Sequence, residues 1–202
     1  MSPRHSAAEA ARTRERIVRA AVLDASLLGL EGLTVGALAQ RLGMSKAGLV
    51  GPFGSRERLL MAALDQACEI FRAAVTGPLE GLPPGPERLG RLIDGWVEYL
   101  ADCPFPGGCF ITAATSELDG RPGPLRDRLR EIVASNRGAL AAEVAAAQTA
   151  LPGPHRPAAE VASTLMGLSM AANQEIQLLD DPSAAARARD AMRHAAGLLG
   201  SS

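Results

Sequence analysis

The chain has 202 residues, of which 47% are hydrophobic and 21% are charged, and its formal net charge at pH 7 is −1. This composition is typical of a globular protein and excludes a disordered one, and the abundance of alanine favours an all-α fold. No run reaches the roughly 18 apolar residues of a membrane-spanning helix, and the charged N-terminal region is unlike a signal peptide. We therefore expect a cytoplasmic protein without a membrane partner.

The charge is distributed unevenly along the chain. Residues 1–60 carry nine basic and five acidic groups, so this region has a net charge of +4 and the remainder has −5. Such an asymmetry suits a nucleic-acid-facing head on an acidic body. A difference of this size also arises by chance among helical proteins.

The first predicted helix runs from about Ala8 to Gly29, after a loose tail at residues 1–7. Its apolar residues share one face: Ile17, Ala20, Ala21 and Leu28. Arg12 and Arg14 near its start are placed to meet phosphate groups. A solvated arginine-rich face is an equally good interpretation of either residue.

Residues 34–53 predict two short helices joined by a tight turn. Thr34 is placed to cap the first helix, whose apolar residues recur at helical spacing: Val35, Leu38, Ala39 and Leu42. Gly43 is suited to end that helix, and Ser45 is placed to cap the second one. A helix-turn-helix has a turn of this length, and its second helix enters the major groove. An ordinary αα-hairpin inside a helical domain is the alternative.

Several segments resemble the N-terminal domain of TetR-type transcriptional regulators in order and spacing, from about Arg12 to Ala67. They are RERIVRAA (14–21), GLTV (32–35), LA (38–39), GMSK (43–46) and FGSRERLL (53–60). The resemblance implies an all-α protein in which a three-helix, helix-turn-helix DNA-binding domain precedes a helical ligand-binding and dimerisation domain. From this resemblance and from their positions in the motif, we expect these residues to contact double-stranded DNA: Arg14, Thr34, Gln40, Ser45, Lys46, Ala47, Gly48, Val50 and Arg56.

The chain departs from the family pattern in and just after the second helix of this motif. Val50 stands where an aromatic residue is usual, and Pro52 stands where histidine or tyrosine is common. In many members these side chains touch DNA phosphates, and Gly48 replaces a common threonine. The departures therefore concern affinity or selectivity for DNA and leave the fold unaffected, because Pro52 only ends the helix where it should end.

A longer helix is predicted to follow, capped by Ser55 and reaching Val75, with Arg56 placed to meet phosphate at its start. Proline and glycine clusters at residues 77–78 and 82–86 then mark a boundary. We therefore predict a flexible tail at 1–7, the helix-turn-helix domain at 8–54, a connecting helix at 55–76, and a ligand-binding and dimerisation domain at 77–202.

Five helices are predicted in this last domain, at residues 87–101, 108–118, 124–150, 158–179 and 183–199. The segments PGGCF (106–110), ELD (117–119) and RPGP (121–124) resemble the ligand-binding domain of one TetR subgroup. Four of the six aromatic residues lie close together here, and they fill the core or line a ligand cavity. The expected ligand-binding residues are Trp96, Tyr99, Cys103, Phe105, Phe110, Ala114, Glu117, Met166, Met170 and Asn173.

The last two long helices carry more apolar surface than one packed neighbour needs, which favours a second subunit. In the resembled family these helices build a dimeric four-helix bundle, so we expect a homodimer that binds a palindromic operator. The favoured function is a ligand-responsive transcriptional regulator, most simply a repressor, with an unknown small-molecule effector. The alternative is a helical protein that senses or sequesters a small molecule and binds DNA weakly.

The residues that carry chemistry form no catalytic or metal-binding pattern. The three histidines adjoin no nucleophile, metal-ligand spacing or phosphate loop, and the three cysteines form no Cys-x-x-Cys pair. We therefore expect no enzyme activity, no metal and no cofactor, and we expect reduced thiols.

Overall fold

The computed structural model describes residues 3–199, and within that range it contains nine α-helices and no strand. The helices are α1 (Pro3–Gly32), α2 (Val35–Leu42), α3 (Lys46–Val50), α4 (Arg56–Phe71), α5 (Pro86–Ala101), α6 (Phe110–Leu118), α7 (Pro124–Gln148), α8 (Ala158–Leu179) and α9 (Ala184–Ala195). The predicted all-α fold is confirmed, and each predicted helix is present with ends that differ by a few residues. Because α1 begins at Pro3, residues 3–7 of the predicted tail are helical; residues 1 and 2 lie outside the described range.

The helices form two compact units. The first contains the residues up to Glu69 together with Phe105–Leu129, and the second contains Ile70–Pro104 together with the residues from Arg130 onward. By compactness, residues 105–129 therefore group with the N-terminal region, whereas the predicted division placed them in the 77–202 domain. The functional division of the chain remains a prediction.

The helix-turn-helix is built as its sequence predicts. The Thr34 hydroxyl accepts a hydrogen bond from the Ala37 amide at 3.2 Å, and the Ser45 hydroxyl accepts one from the Gly48 amide at 3.0 Å. Gly43 ends α2 in the left-handed conformation, with φ 65°. Both caps satisfy amides that a helix start leaves without partners, so these two short helices have defined ends.

The core of the first unit lies between α1, α2, α4 and α6. Its fully or nearly fully buried side chains are Ile17, Leu30, Leu33, Leu38, Leu49, Leu59, Leu60, Leu64 and Leu118. Leu49 is the buried residue of α3 and fixes this five-residue helix to the unit. Such burial favours folding by about 1.5–3 kcal/mol for each leucine-sized side chain.

α1 changes direction at Gly29, where φ is 76° and ψ is 165°. A side chain would be strained in this conformation, and a Cβ atom at Gly29 would also lie 2.9 Å from Oε2 of Glu117. A second close approach involves Gly107, where a Cβ atom would overlap the Ser26 carbonyl oxygen. These two glycines allow α6 and the loop before it to reach the end of α1.

In the second unit, α5 packs against both α8 and α9. Buried aliphatic side chains fill the space between them: Leu89, Ile93, Val97, Leu100, Val161, Leu165 and Met192. Arg193 of α9 donates to Asp94 of α5, with Nε 3.0 Å from Oδ1, and this carboxylate raises the pKa of Arg193 above its usual value. Arg88 donates to Glu143 at 2.9 Å and ties α5 to α7.

Among residues 3–199, no helix is both long and apolar enough to cross a membrane.

Candidate nucleic-acid interface

The outer surface of α3 is formed by four consecutive exposed residues, namely Ser45, Lys46, Ala47 and Gly48. Val50 is half-buried and Leu49 is buried, so the helix turns its apolar end toward the unit and its N-terminal half outward. In helix-turn-helix proteins, the N-terminal residues of the second helix contact base edges. The arrangement therefore suits entry into a major groove.

The hydroxyl groups predicted to contact DNA are already used by the helix ends. Thr34 and Ser45 each accept an amide hydrogen bond as N-caps. A hydroxyl that accepts in this way keeps its own proton, which it can donate to a phosphate oxygen. Capping therefore leaves each hydroxyl a proton to donate, and the predicted DNA contacts of Thr34 and Ser45 remain predictions.

Lys46 lies against the start of α2. Its Cε atom would be 3.4 Å, and its Nζ atom 3.8 Å, from a Cβ atom placed at Gly36. The positive end of the helix dipole and the free amides at the start of a helix favour an anion, and an ammonium group adds to this preference. The structure thus brings the Lys46 ammonium to the start of α2, and its predicted contact with DNA remains a prediction.

Arg56 makes contacts that the sequence did not predict. Its Nε donates to the Leu33 carbonyl at 3.2 Å, and its Nη2 donates to the carbonyls of Leu30 and Glu31 at 3.1 Å each. The guanidinium therefore holds the segment between α1 and α2. The predicted DNA contact of Arg56 remains a prediction, and the spacing of the sequence gives no sign of this internal role.

Two further predicted DNA-contacting residues lie on α1 and α2. The Arg14 guanidinium lies over the Phe53 ring, 5.0 Å from its centroid, which fixes the side chain by a cation–π interaction. Gln40 is exposed on α2.

Glu117 is a residue of α6, and its side chain lies beside the end of α1 in the first unit. Its two carboxylate oxygens accept hydrogen bonds from the amides of Leu30 and Glu31, each at 2.8 Å. These amides follow the break at Gly29 and would otherwise lack helical partners. Glu117 and Arg56 thus hold the same short segment in complementary ways. The Glu117 carboxylate accepts hydrogen bonds from the backbone amides of this segment, and the Arg56 guanidinium donates hydrogen bonds to its carbonyls.

The predicted ligand-binding residues fall into separate groups. In the second unit, Trp96 and Tyr99 each meet Phe71 edge to face, with ring centroids 6.1 Å and 5.1 Å apart. Tyr99 is buried, whereas Trp96 is half-buried. Phe71 was missing from the predicted set, although it is one of only six aromatic residues in the chain.

The other predicted ligand-binding residues are distributed over both units. In the first unit, Phe105 and Phe110 are buried with centroids 5.8 Å apart, and Ala114 is buried one helical turn after Phe110. In the second unit, Cys103 is half-buried after α5. On α8, Met166 and Asn173 are half-buried and Met170 is exposed. A ligand-binding role for these residues remains a prediction.

A cleft of about 410 Å³ lies on the second unit. Its lining includes five residues of α5, namely Pro86, Glu87, Gly90, Arg91 and Asp94. Arg193 of α9 completes it with Leu151 and Leu198, which lie outside these helices. None of them belongs to the predicted ligand set. Within the part of the chain that the structure describes, no group of three or more His, Cys, Asp or Glu side chains is arranged to hold a metal ion.

The fold and the capped, exposed α3 define an all-helical protein with a helix-turn-helix DNA-binding unit. The sequence matches the family described as "Tetracyclin repressor-like, C-terminal domain" over residues 85–192, which is more than half of the chain. The chain therefore belongs to the TetR family of transcriptional regulators. No curated protein matches its sequence at a significant level.

Solved structures with the same fold include other regulators of this family. A TetR regulator from Chloroflexus aurantiacus is 24% identical, with a TM-score of 0.82, and the match covers 93% of this chain and 94% of that one. A TetR-family regulator from Cytophaga hutchinsonii is 18% identical with a TM-score of 0.81, covering 96% and 98%. AibR, in complex with isovaleryl coenzyme A and operator DNA, is 19% identical with a TM-score of 0.71, covering 93% and 97%.

Proposed function

We propose that this regulator is a repressor that binds a palindromic operator as a homodimer and releases it when a small molecule binds. The observation that carries the proposal is the outward face of α3, in which Lys46 and Ala47 project from a helix fixed by the buried Leu49. Two copies related by a twofold axis would present two such helices to successive major grooves.

The homodimer is supported by apolar side chains that α8 leaves in contact with solvent. Leu178 is 73% exposed, Leu179 is 66% exposed and Met170 is 45% exposed. Large apolar side chains that a single chain leaves exposed favour a partner that covers them. We assign this surface, with the adjoining α9, to the partner subunit.

The effector site is proposed around Trp96 and Tyr99, beside Phe71. Binding pockets are typically lined by aromatic and apolar side chains with few polar groups, and the partly open Trp96 ring meets this description. AibR shows that a protein of this fold binds both an acyl coenzyme A and operator DNA. For this chain we propose a small organic effector.

A second candidate is a protein that senses or sequesters a small molecule and binds DNA weakly. It is favoured by Val50 and Pro52, which offer no aromatic or hydroxyl group to a phosphate. Regulators of this family are generally not enzymes, and we propose no catalytic activity. We also propose a cytoplasmic location, because a transcriptional regulator must reach the DNA it binds.

A footprint of the purified protein on the DNA that precedes its own gene tests this function. The repressor proposal predicts protection of an inverted repeat whose half-site centres lie about one helical turn apart, or a multiple of it. A protein that protects no site on this or neighbouring control regions, yet melts cooperatively, would instead support the second candidate.

A further inference from the structure

We propose that Ala47 reads a thymine through its C5-methyl group, so that each operator half-site contains an A·T pair at the position that faces the start of α3. This inference rests on the proposed function, because it specifies how the same surface chooses its DNA. It concerns sequence selectivity and not affinity for the backbone.

The polar groups of α3 are few, and the structure gives each of them another task. The Ser45 hydroxyl accepts from the Gly48 amide at 3.0 Å. The Lys46 side chain is exposed and extends to the start of α2, with Nζ 3.8 Å from where a Cβ atom of Gly36 would lie. Gly48 has no side chain, and Val50 is half-buried. No arginine, asparagine or glutamine on α3 is available for bidentate recognition of a guanine or an adenine.

Ala47 is therefore the side chain that α3 offers most directly to base edges. It is exposed, and a methyl group attached to Cα has no rotamers that could be lost on binding. Its own backbone is fixed, because the Ala47 carbonyl accepts from the Gly51 amide at 2.8 Å and the next residue but one is the fully buried Leu49. The methyl group is thus held in place before DNA arrives.

The absence of a side chain at Gly48 leaves room beside this methyl group. A Cβ atom at Gly48 would lie 3.1 Å from the Ser45 hydroxyl oxygen, so a side chain there would crowd the cap. A base edge can therefore approach the backbone between Ala47 and Gly48 closely. The complementary apolar group in the major groove is the thymine methyl, which cytosine, adenine and guanine lack.

The test uses the mapped operator and removes one methyl group at a time. Each thymine is replaced singly by deoxyuridine, which keeps every hydrogen-bonding group and lacks only the C5-methyl, and the Kd is measured by fluorescence anisotropy. The wild-type chain should bind about fourfold more weakly at one position in each half-site, the effect of about 0.8 kcal/mol for a methyl-sized contact. At that position, Ala47→Gly should no longer distinguish thymine from deoxyuridine.

Ala113→Gly serves as the matched control, because Ala113 is exposed on α6 and its loss lowers helix propensity in the same way. It should keep the wild-type preference at every position. If Ala47→Gly loses its helical circular dichroism, Ala47→Ser replaces it, and its polar hydroxyl should lower the preference for thymine at the same position.

The outcomes separate the inference from the proposed function. A wild-type chain that binds no DNA contradicts both. A chain that binds its operator but shows no deoxyuridine effect, or an Ala47 variant that keeps the full wild-type effect, contradicts the thymine contact alone.

Discussion

The carboxylate of Glu117 accepts a hydrogen bond from the amide of Leu30 at 2.8 Å, although the two residues lie 87 positions apart in the chain. A second bond, from the Glu31 amide, completes the pair. The helix-turn-helix begins only a few residues later, at the Thr34 cap. Glu117 thus holds the end of α1, from which the chain continues into α2, and this contact gives it a structural role in the first unit.

Replacing Glu117 by Gln should destabilise the protein by about 1–3 kcal/mol, because an amide group offers one acceptor oxygen where the carboxylate offers two charged ones. The free energy of unfolding from urea denaturation measures the effect. Asp119→Asn, the same chemical change at the exposed end of α6, should cost less than about 0.5 kcal/mol. Equal stabilities of the two variants would contradict the structural role of Glu117.

Trp96→Ala should weaken the effector response more than it weakens operator binding by the effector-free protein. An effector is first identified as a compound that raises the melting temperature of the wild-type chain. The variant should then need roughly tenfold more of it for half-release of DNA, since it loses an aromatic contact. Its stability should fall by less than the ~3–5 kcal/mol of a fully buried tryptophan, because the Trp96 ring is half-buried.

Trp96→Phe is the control for this prediction, since it keeps an aromatic ring beside Phe71. A collapse of melting in Trp96→Ala would show that Trp96 is a core residue and would remove the support for a pocket there. Unchanged melting together with unchanged release would place Trp96 outside the effector site.

Leu178→Lys should convert the dimer to a monomer without unfolding it. The side chain is 73% exposed in the single chain, so a lysine there costs little within one subunit but would bury a charge at the proposed interface. Light scattering after size exclusion gives the mass of the species. Ala142→Lys, at an exposed position of α7, should remain dimeric. A dimeric Leu178→Lys protein would show that the interface lies elsewhere.

Hydrogen bonds in the turn between α8 and α9 should make the stability of the protein fall at acidic pH. Asp181 accepts from the Arg187 guanidinium at 2.7 Å and from the Ser183 hydroxyl and amide at 2.7 Å and 2.8 Å, and these bonds hold the pKa of Asp181 well below its usual range. A lowered folded-state pKa gives stability that is present above the unfolded pKa, about 3.9, and is lost as the pH falls through the folded value.

The melting temperature of wild type should therefore exceed that of Asp181→Asn by a constant margin at pH 5–7. This margin should shrink below about pH 4. Comparing the two proteins at each pH removes the effect of all other acidic groups. Asp180→Asn is the control at the neighbouring position. Asp180 has a left-handed backbone conformation, which asparagine tolerates. A margin that stays the same down to pH 3 would contradict the role of the Asp181 carboxylate.

Structural features that depend on neighbouring residues could be predicted from the sequence. Contacts between residues far apart in the chain could not. The caps at Thr34 and Ser45 and the left-handed Gly43 were predictable, because each depends on residues within one helical turn. The bonds from Glu117 and Arg56 to the end of α1 were not, since nothing in the spacing of either residue indicates a partner at Leu30. Phe71 was missed for the same reason, because only folding brings it beside Trp96.

The sequence indicates the placement of the candidate DNA-contacting residues more directly than that of the candidate ligand-binding residues. Exposure of Ser45, Lys46, Ala47 and Gly48 follows from the helix-turn-helix geometry, which a single segment of sequence determines. The proposed ligand-binding residues come from α5, α6 and α8 and from the loop between α5 and α6, and grouping them requires the tertiary arrangement. Compactness places Phe105 and Phe110 in the first unit and Trp96 and Tyr99 in the second, a distribution that a linear domain boundary cannot indicate.

The central claim is that the start of α3 binds operator DNA, and Lys46, the only lysine in the chain, tests it most directly. Operator affinity is measured at several salt concentrations for wild type, for Lys46→Ala and for the control Arg137→Ala, whose arginine is exposed on α7. We predict that wild type binds its operator far more tightly than a scrambled duplex. Lys46→Ala should bind more weakly, with a salt slope smaller by about two per dimer, because each subunit loses one phosphate contact. Identical affinity and salt slope for wild type and Lys46→Ala would contradict the claim.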